Sequence, residues 1–152
     1  MDYIREWNGF TVSDARARLD LDAIHDFLKT AYWSVGVPRA VMERAIGNSH
    51  PFGLYEGGRD AGGPQVGFAR MITDHASFAW LCDVYVLEAY RGRGLATFLN
   101  RCILEHPDLQ GLRRWLLATK DAHAVYRRVG YETPAEPSRF MTIHDPDIYR
   151  RR

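Results

Sequence analysis

The residues that most directly suggest chemistry form a short loop rich in arginine and glycine. It reads Arg91-Gly92-Arg93-Gly94-Leu95-Ala96 and stands between a predicted strand and a predicted helix. The first turn of a helix has unpaired N–H groups and the positive end of the dipole, and glycines let a backbone approach an anion closely. Arginines add charge and forked donors. The pattern therefore indicates an anion-binding loop, with a plain glycine-rich turn as the alternative.

Two common phosphate-binding motifs do not fit this loop. No Gly-Lys-Ser/Thr follows with the spacing of a P-loop. The dinucleotide pattern G-x-G-x-x-G would require a third glycine where the chain has Thr97. The strands before the loop also look antiparallel, whereas the dinucleotide motif belongs to an opening parallel βαβ unit. Another mode of phosphate or nucleotide binding stays open.

The elements around the loop predict an α+β fold. Three consecutive strands separated by short turns suit an antiparallel meander, and the strand–helix–strand order that follows suits a parallel pair. The expectation is one domain, residues 1–152, with a mixed, mostly antiparallel central sheet flanked by helices. Helices are predicted over residues 21–31, 38–46, 95–105 and 121–129. Strands are predicted over residues 10–12, 52–55, 65–72, 78–87, 113–118, 131–132 and 139–143.

Composition narrows the possible partners. The net charge is only +1, so no global charge favours nucleic acid or a membrane surface, and the run Arg150–Arg152 is expected to be a solvated tail. No apolar run approaches the ~20 residues that span a bilayer, and no signal peptide is apparent. Cys82 and Cys102 lie far apart, and no metal-ligand spacing emerges. We expect a cytoplasmic protein with free thiols and no metal.

The loop and a downstream segment resemble the GNAT acetyltransferase superfamily. Its signature Arg/Gln-x-x-Gly-x-Gly/Ala is matched by Arg91, Gly94 and Ala96. Its A-x-x-x-Y-x-x-x-G-F/Y segment is matched by residues 122–131, which include Tyr126. The order of elements agrees over nearly the whole chain. One departure is Thr119, where many members carry Asn.

The resemblance implies acetyl-CoA as the acyl donor, with longer acyl groups left open. Backbone groups of the strand before the loop would bind the pantetheine arm, and the loop would hold the pyrophosphate. The residues assigned to the donor in this way are Val84, Tyr85, Val86, Arg91, Gly92, Arg93, Gly94, Leu95, Ala96 and Thr97.

Two residues are the catalytic candidates under this resemblance. Tyr126 would protonate the departing thiolate, because a phenol with a pKa of about 10 is protonated at neutral pH. A lysine-like amine is deprotonated in about one molecule in 2,500 at pH 7, so a base would help. Asp83, an acid inside an apolar strand, is that candidate, with a structural ion pair as the equal alternative. Weaker base candidates are Glu56, Asp74 and His75, and proton loss through water is also open.

The acceptor is expected to be a primary amine of a small molecule or a protein. Tyr32, Trp33 and Trp80 could line its pocket, because the loop between the first two helices covers that pocket in the family, although aromatic residues are more often core. The resemblance leaves a homodimer open. A non-catalytic acyl-CoA sensor of the same fold is the alternative function.

Overall fold

The protein is described by a computed structural model that covers residues 1–151; Arg152, the last residue of the predicted basic tail, lies outside the described residues. Its centre is a six-stranded sheet. The strands are β1 Ile4–Trp7, β2 Phe10–Ser13, β3 His50–Glu56, β4 Gln65–Thr73, β5 Phe78–Val86 and β6 Arg114–Leu117. The helices are α1 Leu21–Leu28, α2 Arg39–Gly47, α3 Leu95–Leu104 and α4 His123–Arg127.

The strands lie side by side in sequence order. The first four pairings are antiparallel, and only β5 and β6 run parallel, joined through α3. The predicted mixed, mostly antiparallel sheet flanked by helices is therefore confirmed. A parallel pair needs a crossover connection. Helix α3 forms that connection, and its apolar face packs on the sheet.

The helices cover opposite faces of the sheet. Side chains alternate between faces along a strand, so neighbouring residues of β4 enter different apolar clusters. Phe68 packs with α1 and α2, whereas Ala69 packs with α3. Asp20 caps α1 as predicted, its side chain accepting from the N–H of Ala23 at 2.9 Å. None of the helices within residues 1–151 is long and apolar enough to cross a bilayer.

Two predictions about the ends of the sheet are wrong. β1 was not expected, yet it pairs with β2 through Asn8-Gly9, both with positive φ (50° and 79°). Asn-Gly is the usual pair for a two-residue hairpin turn, so the signal was present in the sequence. The strands predicted over residues 131–132 and 139–143 are not formed. There the N–H of Phe140 bonds to the carbonyl of Pro137 in a 3-10 turn, which directs that donor away from any ladder.

Candidate active site

The Arg91–Ala96 loop combines two left-handed glycines with the unpaired N–H groups of a helix start. Gly92 and Gly94 both have φ of +77°, in the left-handed region that favours glycine. Gly94 caps α3, and the N–H of Phe98 is the first to bond within the helix, to the Gly94 carbonyl at 3.0 Å. The N–H groups of residues 95–97 are therefore free of helical partners. No acidic residue stands in this first turn to compete with a bound anion.

The arginines of the loop are held at its rim. The Nε of Arg91 donates to the Val86 carbonyl at 2.9 Å, and the Arg93 guanidinium lies 5.4 Å from the ring centre of Tyr90. Both arginines are exposed, so their remaining N–H groups face solvent. Trp7, which no sequence motif singles out, also borders the loop, since its indole would lie 3.3 Å from a Cβ added at Gly94. The Arg91–Ala96 loop therefore forms a cradle with an aromatic side chain on one side.

Beside the loop, strands β5 and β6 separate. Their parallel pairing ends at Leu81 and Leu117. Between Phe68 and Arg70 of β4 the partner strand β5 carries one extra residue, and Asp83 there has a φ of 54°. Such a bulge bends its strand and interrupts the ladder. The backbone of Val84–Val86 consequently has no β6 partner, as a strand that binds a ligand with its main chain would require.

The Asp83 carboxylate is paired on both of its oxygens. The Nε of Arg70 donates to Oδ2 at 2.6 Å, and the indole N–H of Trp33 donates to Oδ1 at 2.9 Å. Both charged side chains are about 14% exposed or less. Burial works against the Arg70 charge, but Asp83, with smaller contributions from Cys82 and Tyr149, outweighs it, and the pKa of Arg70 is raised. This is the ion pair that the sequence left as the alternative to a base.

Tyr126 lies on α4, half-buried, with its ring 5.9 Å from that of Tyr131 in an edge-on arrangement. Burial first, and then Tyr32 and Asp121, raise the pKa of Tyr126 to about 12. The phenol is therefore protonated across the whole physiological range. Its hydroxyl makes no hydrogen bond to residues 1–151. Tyr126 lines a cavity of about 260 Å³ beside the end of β6.

The loop between α1 and α2 reaches across the separated strands. Trp33 bonds to Asp83 on β5, while the hydroxyl of Tyr32 accepts from the backbone N–H of Lys120, beyond β6, at 3.2 Å. The two rings are nearly perpendicular, 86° apart, with centres 5.0 Å apart. Both remain substantially exposed, at 53% for Tyr32 and 40% for Trp33. An aromatic bridge thus spans the opening between β5 and β6.

The remaining candidates lie elsewhere. Trp80 stands in the paired part of β5, opposite Leu116, and makes no aromatic contact with the bridge among the described residues. Glu56 accepts from the Tyr90 hydroxyl at 2.7 Å, near the Arg91–Ala96 loop. Asp74 and His75 occupy the β4–β5 turn, at the far end of β5. There the Ser77 hydroxyl and three backbone N–H groups hold the pKa of Asp74 well below its usual range.

Thr119, the departure from the family pattern, has a local task. Its hydroxyl oxygen accepts from the N–H of Ala122 at 3.1 Å, just before α4. This bond fixes the turn that leads from β6 to Tyr126.

One cluster outside this site has the composition of a metal centre. Asp14, His50 and His106 place ligand atoms within 4.8 Å of one another. The N–H of Asp108, however, donates to Nδ1 of His106 at 3.1 Å, so Nε2 must carry the proton and donate to Asp14 at 2.9 Å. A metal would need that Nε2 lone pair. The arrangement is a hydrogen-bonded network that ties β2, β3 and the end of α3 together.

Comparison with known proteins gives one consistent picture. The model of the acetyltransferase (GNAT) family matches residues 19–131. A Gibberella zeae protein provisionally named an acetyltransferase is 32% identical over 80% of this chain and 78% of its own length. A crystal structure from Xanthomonas campestris pv. campestris, provisionally assigned to the GNAT family, superposes with a TM-score of 0.86 at 41% identity, covering 95% and 99% of the two chains.

A Mycobacterium tuberculosis protein crystallised in complex with CoA shares the fold. Its TM-score is 0.57 at 21% identity, and the match covers 78% of this chain and 69% of that one.

Proposed function

The chain belongs to the acetyltransferase (GNAT) family, and on that premise we propose that it transfers an acetyl group from acetyl-CoA directly to a primary amine. The observation that carries the proposal is the combination of the Arg91–Ala96 cradle with the break between β5 and β6. The first offers N–H groups to a pyrophosphate, and the second leaves one edge of the β5 backbone without a partner strand beside it.

The donor-binding residues proposed are those of the cradle and the free strand. The N–H groups from Gly92 to Thr97 suit a pyrophosphate, since both glycines in the cradle hold a backbone shape that a side chain would strain. Val84–Val86 would bond the amide groups of the pantetheine arm. Acetyl-CoA supplies the thioester, whose cleavage releases the acetyl group. Whether the donor can carry a longer acyl group is tested by the same calorimetry that tests acetyl-CoA.

Tyr126 is the proposed general acid. Acyl transfer to an amine expels a thiolate, which a neighbouring hydroxyl stabilises by donating a proton or a hydrogen bond. With its pKa raised to about 12, chiefly by burial, Tyr126 retains its proton below that pH. It is also free to donate, because its hydroxyl bonds to no described residue. We expect no loss of rate attributable to Tyr126 up to pH 10.

For the amine proton, two routes stay in the proposal. Asp83 is close to the strand break, but its oxygens already accept from Arg70 and Trp33. Each oxygen keeps a further lone pair, so a base role is compatible with this pairing. Loss of the proton to water is the second route. Arg70 and Trp33 already occupy both oxygens of Asp83, which leaves less room for the amine to approach them, and this favours water.

The acceptor is proposed to enter beside Tyr32 and Trp33, which cover the strand break. Exposed aromatic faces attract ammonium groups, which suits an amine. The alternative, a sensor that binds acyl-CoA without turnover, would need the same cradle but no use for the Tyr126 hydroxyl.

Calorimetry with acetyl-CoA and CoA tests the donor site, and thiol release over a panel of primary amines tests transfer. The panel comprises a polyamine, an aminoglycoside, free amino acids and a lysine peptide. Binding without thiol release from any of them would favour the sensor. Absence of binding would refute both functions.

The Tyr126→Phe substitution tests the general acid. We expect turnover to fall about 100-fold with acetyl-CoA affinity unchanged. Tyr131→Phe is the matched control, because it removes a hydroxyl from the neighbouring ring, whose centre lies 5.9 Å from that of Tyr126. Equal rates in the wild type and Tyr126→Phe would remove the assignment.

Three further proposals concern the domain organisation, the compartment and the oligomeric state. Residues 1–152 would act as one domain, because a single sheet runs from residue 4 to residue 117. The two unpaired cysteines favour the cytoplasm. A homodimer stays a proposal for measurement of mass in solution.

A further inference from the structure

Lysine is scarce in this chain. Of its 20 lysines and arginines, only Lys29 and Lys120 are lysines. Lys29 is on the surface of α1, where its ammonium pairs with Asp26 at 2.8 Å. Lys120 follows β6 and is exposed, and it forms no salt bridge within residues 1–151. One of the two lysine amines of the protein therefore stands at the candidate active site.

The contacts of Lys120 place its amine on the aromatic bridge. Its Nζ lies 5.5 Å from the ring centre of Tyr32, a cation–π contact, and its backbone N–H donates to the hydroxyl of the same ring. Thr119, the residue before Lys120, lines the same cavity as Tyr126. The ammonium of Lys120 thus lies on the bridge, one residue along the chain from the lining of the Tyr126 cavity.

From this geometry we propose that Lys120 is a site of self-acetylation, an inference that rests on the proposed transfer from acetyl-CoA. The Lys120 ammonium first loses one proton to water. The neutral Nζ then attacks the thioester carbonyl, so that a C–N bond forms and the C–S bond breaks. The sulfur leaves as a thiolate and takes a proton from Tyr126, while the nitrogen gives up its second proton, which returns through water to the Tyr126 phenolate. The products are an acetyl-lysine amide and free CoA.

Tethering explains why Lys120 would react ahead of other amines. A group held on a short segment has an effective concentration on the order of millimolar, against micromolar for a second protein molecule in an assay. The product amide is neutral, so the cation–π contact with Tyr32 is lost. Self-acetylation would accordingly weaken one end of the aromatic bridge, leaving it only the backbone bond from Lys120 to Tyr32, and remove a competitor for the acceptor position.

The test is peptide mass spectrometry after incubation of the full chain with acetyl-CoA. We expect the acetylated fraction of Lys120 to exceed that of Lys29 by at least about tenfold, since the Lys29 ammonium pairs with Asp26 whereas that of Lys120 lies on the aromatic bridge. The fraction per unit time should not depend on protein concentration. Tyr126→Phe should slow labelling of Lys120 and leave that of Lys29 unchanged. Lys120→Arg should leave only the slow labelling of Lys29.

A limited dose of acetic anhydride, with no acetyl-CoA present, measures the intrinsic reactivity of the two amines. We expect comparable labelling of both. The same preference for Lys120 with both reagents would overturn the proposal, because reactivity alone would then explain it. A labelling rate proportional to protein concentration would also overturn it.

Calorimetry and thiol release on the same sample separate the two proposals. If acetyl-CoA binds and an added amine is acetylated while Lys120 is labelled no faster than Lys29, self-acetylation is wrong and the transferase function stands. If acetyl-CoA does not bind, the proposed function fails first.

Discussion

Replacement of Gly94 by alanine is the sharpest test of the cradle. The residue has a φ of +77°, and an added Cβ would lie 3.3 Å from the indole of Trp7. An L-residue in the left-handed region costs about 1–2 kcal/mol. Crowding against Trp7 adds up to about 1 kcal/mol, a small amount because that indole is 45% exposed and can move.

Gly92→Ala is the matched control. Gly92 has the same φ of +77°, but an added Cβ would meet nothing within 4 Å. Gly92→Ala should lose only the free energy that a left-handed backbone costs an L-residue, which corresponds to a drop in Tm of about 2–8 °C. Gly94→Ala should lose more. In the double variant with Trp7→Ala, the additional loss should disappear.

Binding adds a second measurement. If the Gly94→Ala backbone relaxes to negative φ, the N–H groups of the first turn no longer converge on one anion. We expect the calorimetric Kd for CoA to rise at least about tenfold, equal to about 1.4 kcal/mol. A Gly94→Ala protein with the Tm and Kd of the wild type would refute the argument that this loop shape is what binds the pyrophosphate.

Two further predictions concern buried charge. Asp83→Asn keeps a residue that tolerates the φ of 54° but leaves Arg70 without its counter-charge, so urea unfolding should show a loss of about 3 kcal/mol; an unchanged free energy of unfolding would contradict the importance of the pair. Acid should destabilise the fold in two stages. Burial, followed by the neighbouring His106, lowers the pKa of His50 below its ordinary 6.5, so the unfolded chain takes up that proton first and Tm falls as pH drops below about 6.5. The lowered pKa of Asp14, held down by its hydrogen bonds against the effect of burial, causes a further loss below about pH 3.8. His50→Gln should flatten the dependence of Tm on pH between pH 7 and 5, whereas His144→Gln at an exposed position should not. The same slope of Tm against pH in the wild type and both variants would exclude the network of Asp14, His50 and His106 as the cause.

Much of the framework could be read from local patterns. The α3 periodicity, the cap at Asp20 and the antiparallel-then-parallel order are decided by neighbouring residues, and the fold agrees with them. The missed β1 was also a local signal, an Asn-Gly turn. The two C-terminal strands were not predictable in this way, because an apolar alternating segment becomes a strand only when a partner strand accepts its hydrogen bonds.

The candidate site also has parts set by local sequence and parts set by tertiary contacts. The arginine- and glycine-rich loop before a helix was recognisable in the sequence because its conformation is set by glycines and a helix start that are contiguous in the chain. The two partners of Asp83 could not be recognised in the sequence, because Trp33 and Arg70 come from other elements. Nor could the bridge of Tyr32 to Lys120, 88 positions apart. Local conformation is encoded by adjacent residues, whereas the pairing of charges and the position of an amine depend on strand register and loop packing, which only the tertiary structure decides.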